Sequence, residues 1–489
     1  MKRASIFRRT AVAGIAPASV ILAGGLLLLS GCKVGPNYVR PAVPPPPPAF
    51  KETPSNWKQA SPQDQLPKGK WWEIYGDPEL NTLEEKIAVS NQSLKVAYEQ
   101  YMGARSLVQQ ARAQMSPTLN VQPAGSRNQL SENRPSFSTL TPSTFSDISL
   151  TGDVSYEVDL WGRVRRTVES AKENAQASAG DLENVSLSLH TDLAGDYFSL
   201  RGLDLQKQLL DATVIDFEKA LQLTQARYHG GVASDVDVAQ AETQLETTRA
   251  QAIETGVARA QFEHAIAVLT GETASTFSIA VSPLDATPPE IPLGVPSELL
   301  ERRPDIAAAE RRVASANAQI GIAIAAYYPQ VSLAAGGGFE SAAIGTLIQG
   351  PSALWSVGGS AVQTVIDGGR RRAVTQQARD NHAASVASYR ENVLEAFQQV
   401  EDNLAALRLL EQELTTQQVA VASARRSVDL STTRYKRGIT TYLEVLTAQS
   451  TALSNERTAA DLMTRRMTAS VLLIKALGGG WDSSQLPKI

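Results

Sequence analysis

Cys32 is the residue whose surroundings most directly predict a chemical event. It is the one cysteine among 489 residues, and it follows Leu29-Ser30-Gly31, which has the form of a bacterial lipobox. A basic N-terminus and a nearly unbroken apolar or small run over residues 11–29 precede it, as in a secretory signal. We therefore expect cleavage after residue 31 and attachment of a lipid to the thiol of Cys32.

The same N-terminal segment has two other interpretations. The apolar run is nearly long enough to stay in the bilayer as a permanent anchor, although Pro17 and Gly24-Gly25 disfavour an uninterrupted membrane helix. Arg8-Arg9 hints at twin-arginine export, but the rest of that signature is missing, which favours Sec export. Lys33 directly after the cysteine favours sorting to the outer membrane, because aspartate there would resemble an inner-membrane retention signal.

Other kinds of chemistry find no support in the residues. A single cysteine excludes a disulfide framework, and the sequence contains no G-x-S-x-G, P-loop or dinucleotide fingerprint. The balance of 46 basic and 50 acidic residues argues against a strongly basic nucleic-acid binder. We predict a protein that is not an enzyme, binds no metal and no nucleic acid, and has no cofactor beyond the covalent lipid on Cys32. The histidines lie far apart without metal-ligand spacing, at His190, His229, His264 and His382.

The chain after the signal is predicted to contain an internal sequence duplication. Leu94 and Ala97 recur as Ile306 and Ala309, 212 positions later, and further along the offset is 207. Each copy predicts a helix, a β-hairpin and a long helical hairpin. The predicted units are a signal peptide at 1–31, a lipid-anchored segment with a proline-rich spacer at 32–78, repeat 1 at 79–275, a linker at 276–296, repeat 2 at 297–480 and a tail at 481–489. The β-hairpins fall at about 117–160 and 329–366, and the tips of the helical hairpins near 228–237 and 435–446.

The predicted strands are amphipathic. From Ile148 to Val158 apolar residues alternate with polar, mainly acidic or hydroxylated ones, the period of a strand with one apolar and one polar face. This pattern fits a half-buried strand of a soluble sheet or a membrane strand of about ten residues. The predicted location in the outer membrane favours the membrane strand. Four strands per chain cannot close a barrel, whereas three chains would supply twelve.

The helices after Gly162 and Gly369 are predicted to be very long. If continuous, the run from Gly162 to Gly230-Gly231 would extend about 100 Å at about 1.5 Å per residue. Apolar stripes on these helices are narrow and small residues are common, which suits helices packed side by side in a wall, with a coiled-coil rod as the alternative.

Acidic and basic residues cluster where strand is predicted to give way to helix. Asp159 and Asp367 precede arginines at both junctions. The aspartates suit N-caps, but arginine at a helix start opposes the helix dipole, and we expect these arginines to contact lipid headgroups. The membrane-interface candidates are Trp161, Arg163, Arg370, Arg371 and Arg372. If the polar face of the strands lines a lumen, its acids would favour passage of cations, unless these acids pair with the neighbouring arginines. The acids are Asp147, Asp153, Glu157 and Asp159.

Several segments in order resemble the outer-membrane factors, relatives of TolC, in their OprM/NodT branch. The matching segments are Cys32–Pro41, Trp71-Trp72, Asp77–Leu80, Tyr156–Arg163, Leu300–Ile306, Asp367–Arg370 and Arg434–Gln449. The resemblance implies a mixed, mainly α fold in which long periplasmic helices form an α-barrel and a homotrimer shares a twelve-stranded transmembrane β-barrel. It also implies an outer-membrane exit duct of a tripartite efflux pump for drugs, organic solutes or metal ions. The implied partners are a periplasmic adaptor (membrane fusion protein) and an inner-membrane pump of the RND type. Alternatives are a structural periplasm-spanning helical lipoprotein and a TolC-like duct for protein secretion.

The helical tips carry the candidates for a periplasmic gate. Gly231 and Gly438 allow tight reversals, and the tyrosines of the two tips, Tyr228 and Tyr435, can pack across the helix pair. Members of the resembled family close there with a leucine and, four residues later, an acid. Leu443 matches the leucine, but Thr447 stands at the acid's position, so Glu444 or Asp235 would replace it. The gate candidates are Asp235, Asp237, Arg434, Tyr435, Leu443, Glu444 and Thr447; the alternative is that these are only well-made turns with solvated acids.

Overall fold

The structure is a computed structural model that describes residues 33–52, 69–131, 133, 135, 142–291 and 296–489. The signal peptide at 1–31 and Cys32 lie outside the described residues. The described chain is mainly helical with one sheet, which confirms the predicted mainly α fold class. The helices are α1 (Pro78–Ser90), α2 (Gln92–Ala113), α3 (Arg163–His229), α4 (Asp235–Leu269), α5 (Leu299–Arg302), α6 (Pro304–Ala325), α7 (Arg370–Lys436) and α8 (Tyr442–Ala476). The strands are β1 (Thr118–Gln129), β2 (Thr144–Val158), β3 (Gln330–Ser341) and β4 (Ala353–Val362).

Glycines and short polar residues set the helix ends. Gly162 and Gly369 precede the 67-residue helices α3 and α7 with φ of 80° and 88°, a backbone region that glycine enters without strain. Asp77 caps α1 by accepting hydrogen bonds from the backbone N–H groups of Glu79 and Leu80. Each 67-residue helix extends about 100 Å at about 1.5 Å per residue. These two helices therefore determine the length of the molecule.

The helices pack as neighbours in a wall. Helix α3 lies against α2, α4, α6 and α8, and α7 lies against α6 and α8. The largest buried cluster lies where α1, α3, α4, α7 and α8 meet, and smaller clusters continue toward the tips. Fully buried side chains of the large cluster include Trp71, Leu80, Ile87, Leu193, Leu200, Ile266, Leu404, Val471, Leu473 and Ile474. Apolar burial is thus concentrated in the middle of the helical part and reduced to narrow seams elsewhere.

A buried ionic cluster holds the inter-repeat linker on α3. Asp204 accepts a hydrogen bond from Arg259 Nε at 2.6 Å and from the backbone N–H of Ser282 at 3.0 Å. Arg201 Nη1 donates to the carbonyl of Ala280 at 2.6 Å. The side chain of Asp204 is fully buried, and two guanidinium groups compensate its charge, which is the condition under which such a group is tolerated in an interior.

The four strands form one antiparallel sheet in the order β1-β2-β3-β4. Its central pair, β2 and β3, joins the two halves of the chain, so the hairpins predicted from separate parts of the sequence make a single layer. Within the described ranges, no helix is both long and apolar enough to cross a membrane.

A buried carboxyl–imidazole pair connects α1 to α3. Glu84 Oε2 lies 2.7 Å from Nδ1 of His190, and the indole of Trp72 stacks on the imidazole with 4.4 Å between ring centroids. Burial raises the pKa of Glu84 well above its ordinary value and lowers the pKa of His190 to about 4. Burial therefore disfavours the charged form of both members of the pair.

This pair makes stability depend on pH in a defined direction. Folded Glu84 keeps a proton that the unfolded chain releases above a pH of about 4.5, so its contribution to stability falls as pH rises toward its raised pKa. Neutral His190 gives the opposite slope, but only between about pH 4 and 6.5. The slope from Glu84 begins near its ordinary pKa of 4.5 and continues up to its raised pKa.

We predict that Glu84→Gln reduces the loss of stability that follows a rise of pH above about 4.5. The amide of glutamine can still donate to His190 Nδ1 but does not titrate. The measurement is the thermal midpoint of the detergent-purified protein by circular dichroism across this range. Glu85→Gln, whose carboxylate is exposed, is the matched control and should follow the wild type. Parallel pH profiles for wild type and E84Q would contradict the assignment.

Candidate functional site

One face of the sheet is apolar across all four strands. In the register, Val154 lies opposite Leu119 and Ala335, and Tyr156 lies opposite Leu333. Because side chains alternate along a strand, this pairing places apolar residues beside apolar residues on the same side. The residues of this apolar face are Leu119, Val121, Pro123, Ile148, Leu150, Val154, Tyr156, Val331, Leu333, Ala335, Phe339, Trp355 and Val357.

The apolar face is exposed. Leu119 is 68% accessible and Trp355 is 80% accessible. A half-buried strand of a soluble sheet would pack such residues against a core, but no core covers these side chains in the part of the chain that the structure describes. A contiguous exposed apolar surface of this kind is suited to contact with lipid or with another protein.

The opposite face of the sheet is polar and small. Asp153 lies opposite Asn120 and Gly336, and a Cβ atom at Gly336 would lie 2.8 Å from Oδ1 of Asp153. Other members of this face are Gln122, Ser126, Asp147, Ser149, Thr151, Ser155, Glu157, Ser332, Glu340, Ser356 and Ser360. The sheet is therefore amphipathic as a whole, with carboxylates confined to one side.

Both outer strands of the sheet have an unpaired edge. Within the described residues, β1 pairs only with β2, and β4 pairs only with β3. All twelve residues of β1 are exposed, as are nine of the ten residues of β4. Each edge presents a row of backbone N–H and C=O groups that are ready to pair with a further strand.

Carboxylates and arginines pair where the sheet meets the long helices. Glu157 accepts two hydrogen bonds from Arg163, one from Nε at 2.8 Å and one from Nη2 at 2.7 Å. Asp159 accepts from Arg165 Nε at 3.2 Å and from the backbone N–H of the same residue at 2.8 Å. The bidentate pair of Glu157 with Arg163 is of a kind that is among the stronger ionic contacts. The two pairs neutralise two of the five acids on or next to the polar strand face.

The second junction repeats this arrangement with one aspartate. Asp367 accepts from Arg371 Nε at 2.6 Å and from the backbone N–H groups of Gly369 and Arg371 at 3.1 and 3.0 Å. At both junctions the aspartate accepts N–H groups of the first helical turn, as an N-capping residue would, although glycine occupies the N-cap position itself.

The interface candidates divide into paired and unpaired arginines. Arg163 and Arg371 are held by carboxylates, whereas Arg370 and Arg372 are exposed and make no ion pair within the described residues. Trp161 donates from Nε1 to the carbonyl of Pro329 at 2.9 Å and stacks on Tyr328 at 4.7 Å between centroids. All of these side chains except that of Arg372 line a pocket of about 410 Å³ between the two junctions.

The polar strand face keeps part of its negative charge. Among the described residues, Asp147 and Asp153 have no ion-pair partner, while Glu157 and Asp159 pair with arginines as the alternative interpretation of these acids anticipated. The net acidity of the face therefore rests on Asp147, Asp153 and Glu340.

The tips of the two helical hairpins are linked to each other. Arg227 Nη1 donates to the carbonyl of Tyr435 at 2.7 Å, and its guanidinium lies 4.5 Å from the centre of that ring. Tyr435 is buried, donates from its hydroxyl to Oγ1 of Thr224 at 3.4 Å, and meets Tyr442 edge to face. Arg227 was not among the predicted gate residues, although the Arg-Tyr recurrence of the two tips contains it.

The remaining tip residues have mostly local roles. Gly231 and Gly438 turn the chain with φ of 73° and 74°. Tyr228 is 42% exposed and lies beside His229 rather than across the turn, so the predicted packing of this tyrosine across the helix pair is wrong; Tyr435 does it instead. Asp237 forms a capping box with Ser234.

The gate candidates on α8 and α4 face outward. Glu444 pairs with Arg434 at 2.9 Å and accepts from Thr440. Leu443 is 54% exposed, and Thr447 Oγ1 donates to its carbonyl at 2.8 Å. Asp235 is exposed without an ion pair in the described part of the chain. Among the gate candidates, Leu443 is largely exposed and Asp235 has no ion-pair partner within the described residues.

The comparisons with known proteins agree on one family. The model of the family described as "Outer membrane efflux protein" matches residues 83–272 and 295–479. The toluene efflux pump outer membrane protein TtgI of Pseudomonas putida is 32% identical over 471 residues, covering 94% of this chain and 98% of its own. The pyoverdine export outer membrane protein OpmQ of Pseudomonas aeruginosa is 31% identical, covering 88% and 92%.

A solved structure shows the same fold. The outer-membrane channel OprN superimposes with a TM-score of 0.85 at 28% identity, over 92% of this chain and 100% of that one. The likeness covers the sheet as well as the helices, since it includes the whole length of that channel.

We predict that the two sheet faces respond oppositely to charge. Leu150→Arg places a guanidinium on the apolar face near the middle of β2, whereas Ser149→Arg places it on the polar face opposite Glu340. If the apolar face meets lipid, the first change costs about 2–4 kcal/mol and the second little. The measurement is the amount of each variant in purified outer membranes. Equal yields of the two variants would contradict the assignment of the faces.

Proposed function

Since the chain belongs to the outer membrane efflux protein family, we propose that three copies of it assemble into one exit duct. The protein is an efflux channel of the outer membrane that extends into the periplasm, and it is not an enzyme. In the proposed assembly the sheets join into one twelve-stranded barrel, and the long helices form one tunnel below it.

The observation that carries this proposal is an amphipathic sheet with two open edges. A strand edge cannot remain unpaired in the hydrocarbon region, because each unsatisfied backbone group there costs several kcal/mol, on the order of 2–7. Four strands are too few to enclose a lumen, whereas twelve leave an aqueous one. Pairing of β4 in one chain with β1 in the next satisfies both edges and closes the ring under three-fold rotation.

Equal lengths of corresponding elements support an internal duplication. Helices α2 and α6 both have 22 residues, α3 and α7 both have 67, and α4 and α8 both have 35. Two such halves per chain would give six similar units around the axis of the trimer. A tunnel wall of near-equivalent helix pairs follows from this arrangement without any further element.

The proposed cargo is a small organic molecule. Relatives are named for export of toluene and pyoverdine, and we extend export of compounds of this kind to the present chain. The duct would receive them through a periplasmic adaptor from an inner-membrane pump of the RND type. Asp147, Asp153 and Glu340 would give the lumen a negative lining in three copies, which favours cations. Arg370 and Arg372 would contact headgroups of the inner leaflet.

The tips are the proposed gate. Three-fold assembly would bring Leu443 of each chain toward one axis at the end of the tunnel, where an apolar ring excludes water. Glu444 would hold the tip of α8 to α7 through Arg434. An exposed ion pair of this kind contributes about 0.2–1 kcal/mol, so the closed tips can be opened by a bound adaptor.

Disulfide cross-linking tests the trimer. Gln122→Cys on the free edge of β1 is combined in turn with Ser356→Cys, Gly358→Cys or Ser360→Cys on β4, because all four positions lie on the polar face. We expect one combination to give covalent trimers on a non-reducing gel of outer membranes. Gln122→Cys with Glu340→Cys, on the inner strand β3, is the control. Absence of trimers from every β4 combination would contradict the proposed ring.

Conductance in planar bilayers tests the gate. Leu443→Ala combined with Glu444→Ala removes the apolar ring and the link to Arg434, so we expect higher single-channel conductance and entry of large antibiotics such as vancomycin. The matched control is Leu430→Ala combined with Asp429→Ala, because these two residues are exposed on α7 and precede the tip. A double mutant that is trimeric and conducts like the wild type would place the gate elsewhere and leave the tips to adaptor docking.

A further inference from the structure

The pocket between the two junctions of sheet and helix has the size of a ligand site. Its volume is about 410 Å³, which is in the range of sites for small molecules. Its wall comes from the end of β2 and the start of α3, from the connection of α6 to β3, and from the end of β4 and the start of α7. This cavity, here called the junction pocket, is therefore large enough for a lipid headgroup or a small organic solute.

The carboxylates that line the junction pocket are paired with arginines. The pairs are Glu157 with Arg163, Asp159 with Arg165 and Asp367 with Arg371. Arg370 also lines the pocket, but its exposed side chain makes no ion pair and no hydrogen bond within the described residues. The pocket therefore carries one positive charge without a counter-ion.

The sequence explains why this charge is left over. Glu157 lies five positions before Gly162, which precedes α3. Thr364 lies five positions before Gly369, which precedes α7 in the same way. Both Glu157 and Thr364 line the pocket. Arg370, the first residue of α7, thus lacks the counter-ion that the first residue of α3 has, because a hydroxyl group stands where the first junction has a carboxylate.

Another part of the wall is aromatic and apolar. Trp161 stacks on Tyr328 with 4.7 Å between ring centroids, and its Nε1 donates to the carbonyl of Pro329 at 2.9 Å. The indole therefore has no free donor to offer. Ala325 and Ala326, at the end of α6, contribute small side chains to the same wall. Tyr328 is 40% exposed, so aromatic surface remains accessible beside the uncompensated charge.

A single cation next to an apolar wall favours one class of ligand. An organic cation would meet Arg370 without a free carboxylate to bind it. A small hydrophilic anion would use the guanidinium but leave the aromatic surface in water. A molecule with an anionic group attached to an apolar body uses both, since a guanidinium binds phosphate or carboxylate through two parallel N–H donors. The chemistry of the pocket therefore suits an amphiphilic anion.

We infer that the junction pocket binds an amphiphilic anion, whose phosphate or carboxylate group contacts Arg370 and whose apolar part contacts Trp161 and Tyr328. One source of this chemistry is an anionic phospholipid of the inner leaflet, because Trp and Tyr are typical of the headgroup level. For this source the inference rests on the contact of Arg370 with headgroups proposed above. The other source is an anionic organic solute within the proposed duct.

Quenching of Trp161 by brominated lipid tests the lipid source in the full-length protein, reconstituted into phosphatidylcholine vesicles. Trp355→Phe serves as the background, because Trp355 on the apolar face is 80% accessible and would be quenched by any lipid. The signal of Trp161 is the difference from the same protein with Trp161→Phe. We expect half-maximal quenching at an about fivefold lower fraction of brominated phosphatidylglycerol than of brominated phosphatidylcholine, the factor that one cationic side chain contributes beside an anionic lipid.

Three substitutions and a matched control assign this preference to Arg370. Arg370→Gln removes the charge and Thr364→Glu supplies the missing counter-ion, so both should bring the ratio of the two lipids close to one. Arg370→Lys should retain the preference. Arg372→Gln removes the same charge two residues further along α7, outside the pocket, and should leave the ratio unchanged. Because Thr364→Glu keeps Arg370 in place, the test remains decisive if Arg370→Gln does not fold.

Calorimetric titration with 1-naphthyl phosphate tests the solute source, because this aromatic anion is soluble in water. The full-length protein is titrated in neutral detergent. Arg370→Gln should weaken binding at least about tenfold, as loss of a hydrogen bond between charged groups does, whereas Arg372→Gln should not.

The two measurements separate the sources. A preference for phosphatidylglycerol that depends on Arg370 assigns the pocket to lipid. Binding of naphthyl phosphate that depends on Arg370, without a lipid preference, assigns it to a solute. Absence of both in the folded wild type, or equal effects of Arg370→Gln and Arg372→Gln, would overturn the site. Cross-linked trimers are scored independently, so failure of the site leaves the proposed duct intact.

Discussion

Backbone hydrogen bonding at the edges of the sheet is the constraint on which the rest of this structure depends. β1 and β4 each have one paired and one unpaired side, and the apolar face that they share with β2 and β3 is exposed to the surroundings. Water could form hydrogen bonds with the groups at those edges, but exposure of the apolar face to water is unfavourable. Lipid suits the apolar face, but it leaves the groups at the edges without hydrogen bonds. The proposed trimer meets both requirements, because a neighbouring copy supplies the missing strand. In that proposal the single chain is an incomplete unit, and its function belongs to the assembly.

The junction between sheet and helices has to reconcile two environments within a few residues. The carboxylates at the end of β2 and before α7 serve as acceptors for the first helical turns and as counter-ions for arginines. Arginine is disfavoured at a helix start by the dipole, and these pairings explain how Arg163 and Arg371 are accommodated there. Arg166 donates instead to the carbonyl groups of Val34 and Gly35 and pairs with Glu169. The junction thus combines arginines that are paired within the chain with the exposed Arg370 and Arg372.

Below the junction, stability is distributed unevenly along the helices. The middle of the helical part contains the large apolar cluster and the ionic cluster around Asp204, whereas the tips depend on small seams and on single contacts such as that of Arg227 with Tyr435. Regions with few buried apolar contacts open most readily. The helical tips are therefore expected to open more readily than the middle of the helical part.

Local patterns in the sequence were sufficient for the elements and for the faces of the strands. The alternation around Ile148–Val158 determines which side chains share a face, because the period of a strand is two, and Gly231 and Gly438 mark the reversals because a positive φ favours glycine. Only the tertiary structure decided which distant groups meet: Arg166 with Gly35, Glu84 with His190, and Arg227 with Tyr435 are 131, 106 and 208 positions apart. It also decided that Tyr435 and not Tyr228 is buried at the tip, although the two occupy equivalent places in the repeats. Such contacts depend on the mutual placement of whole helices, which no local spacing encodes, whereas a turn or a strand face depends on residues that are neighbours in the chain.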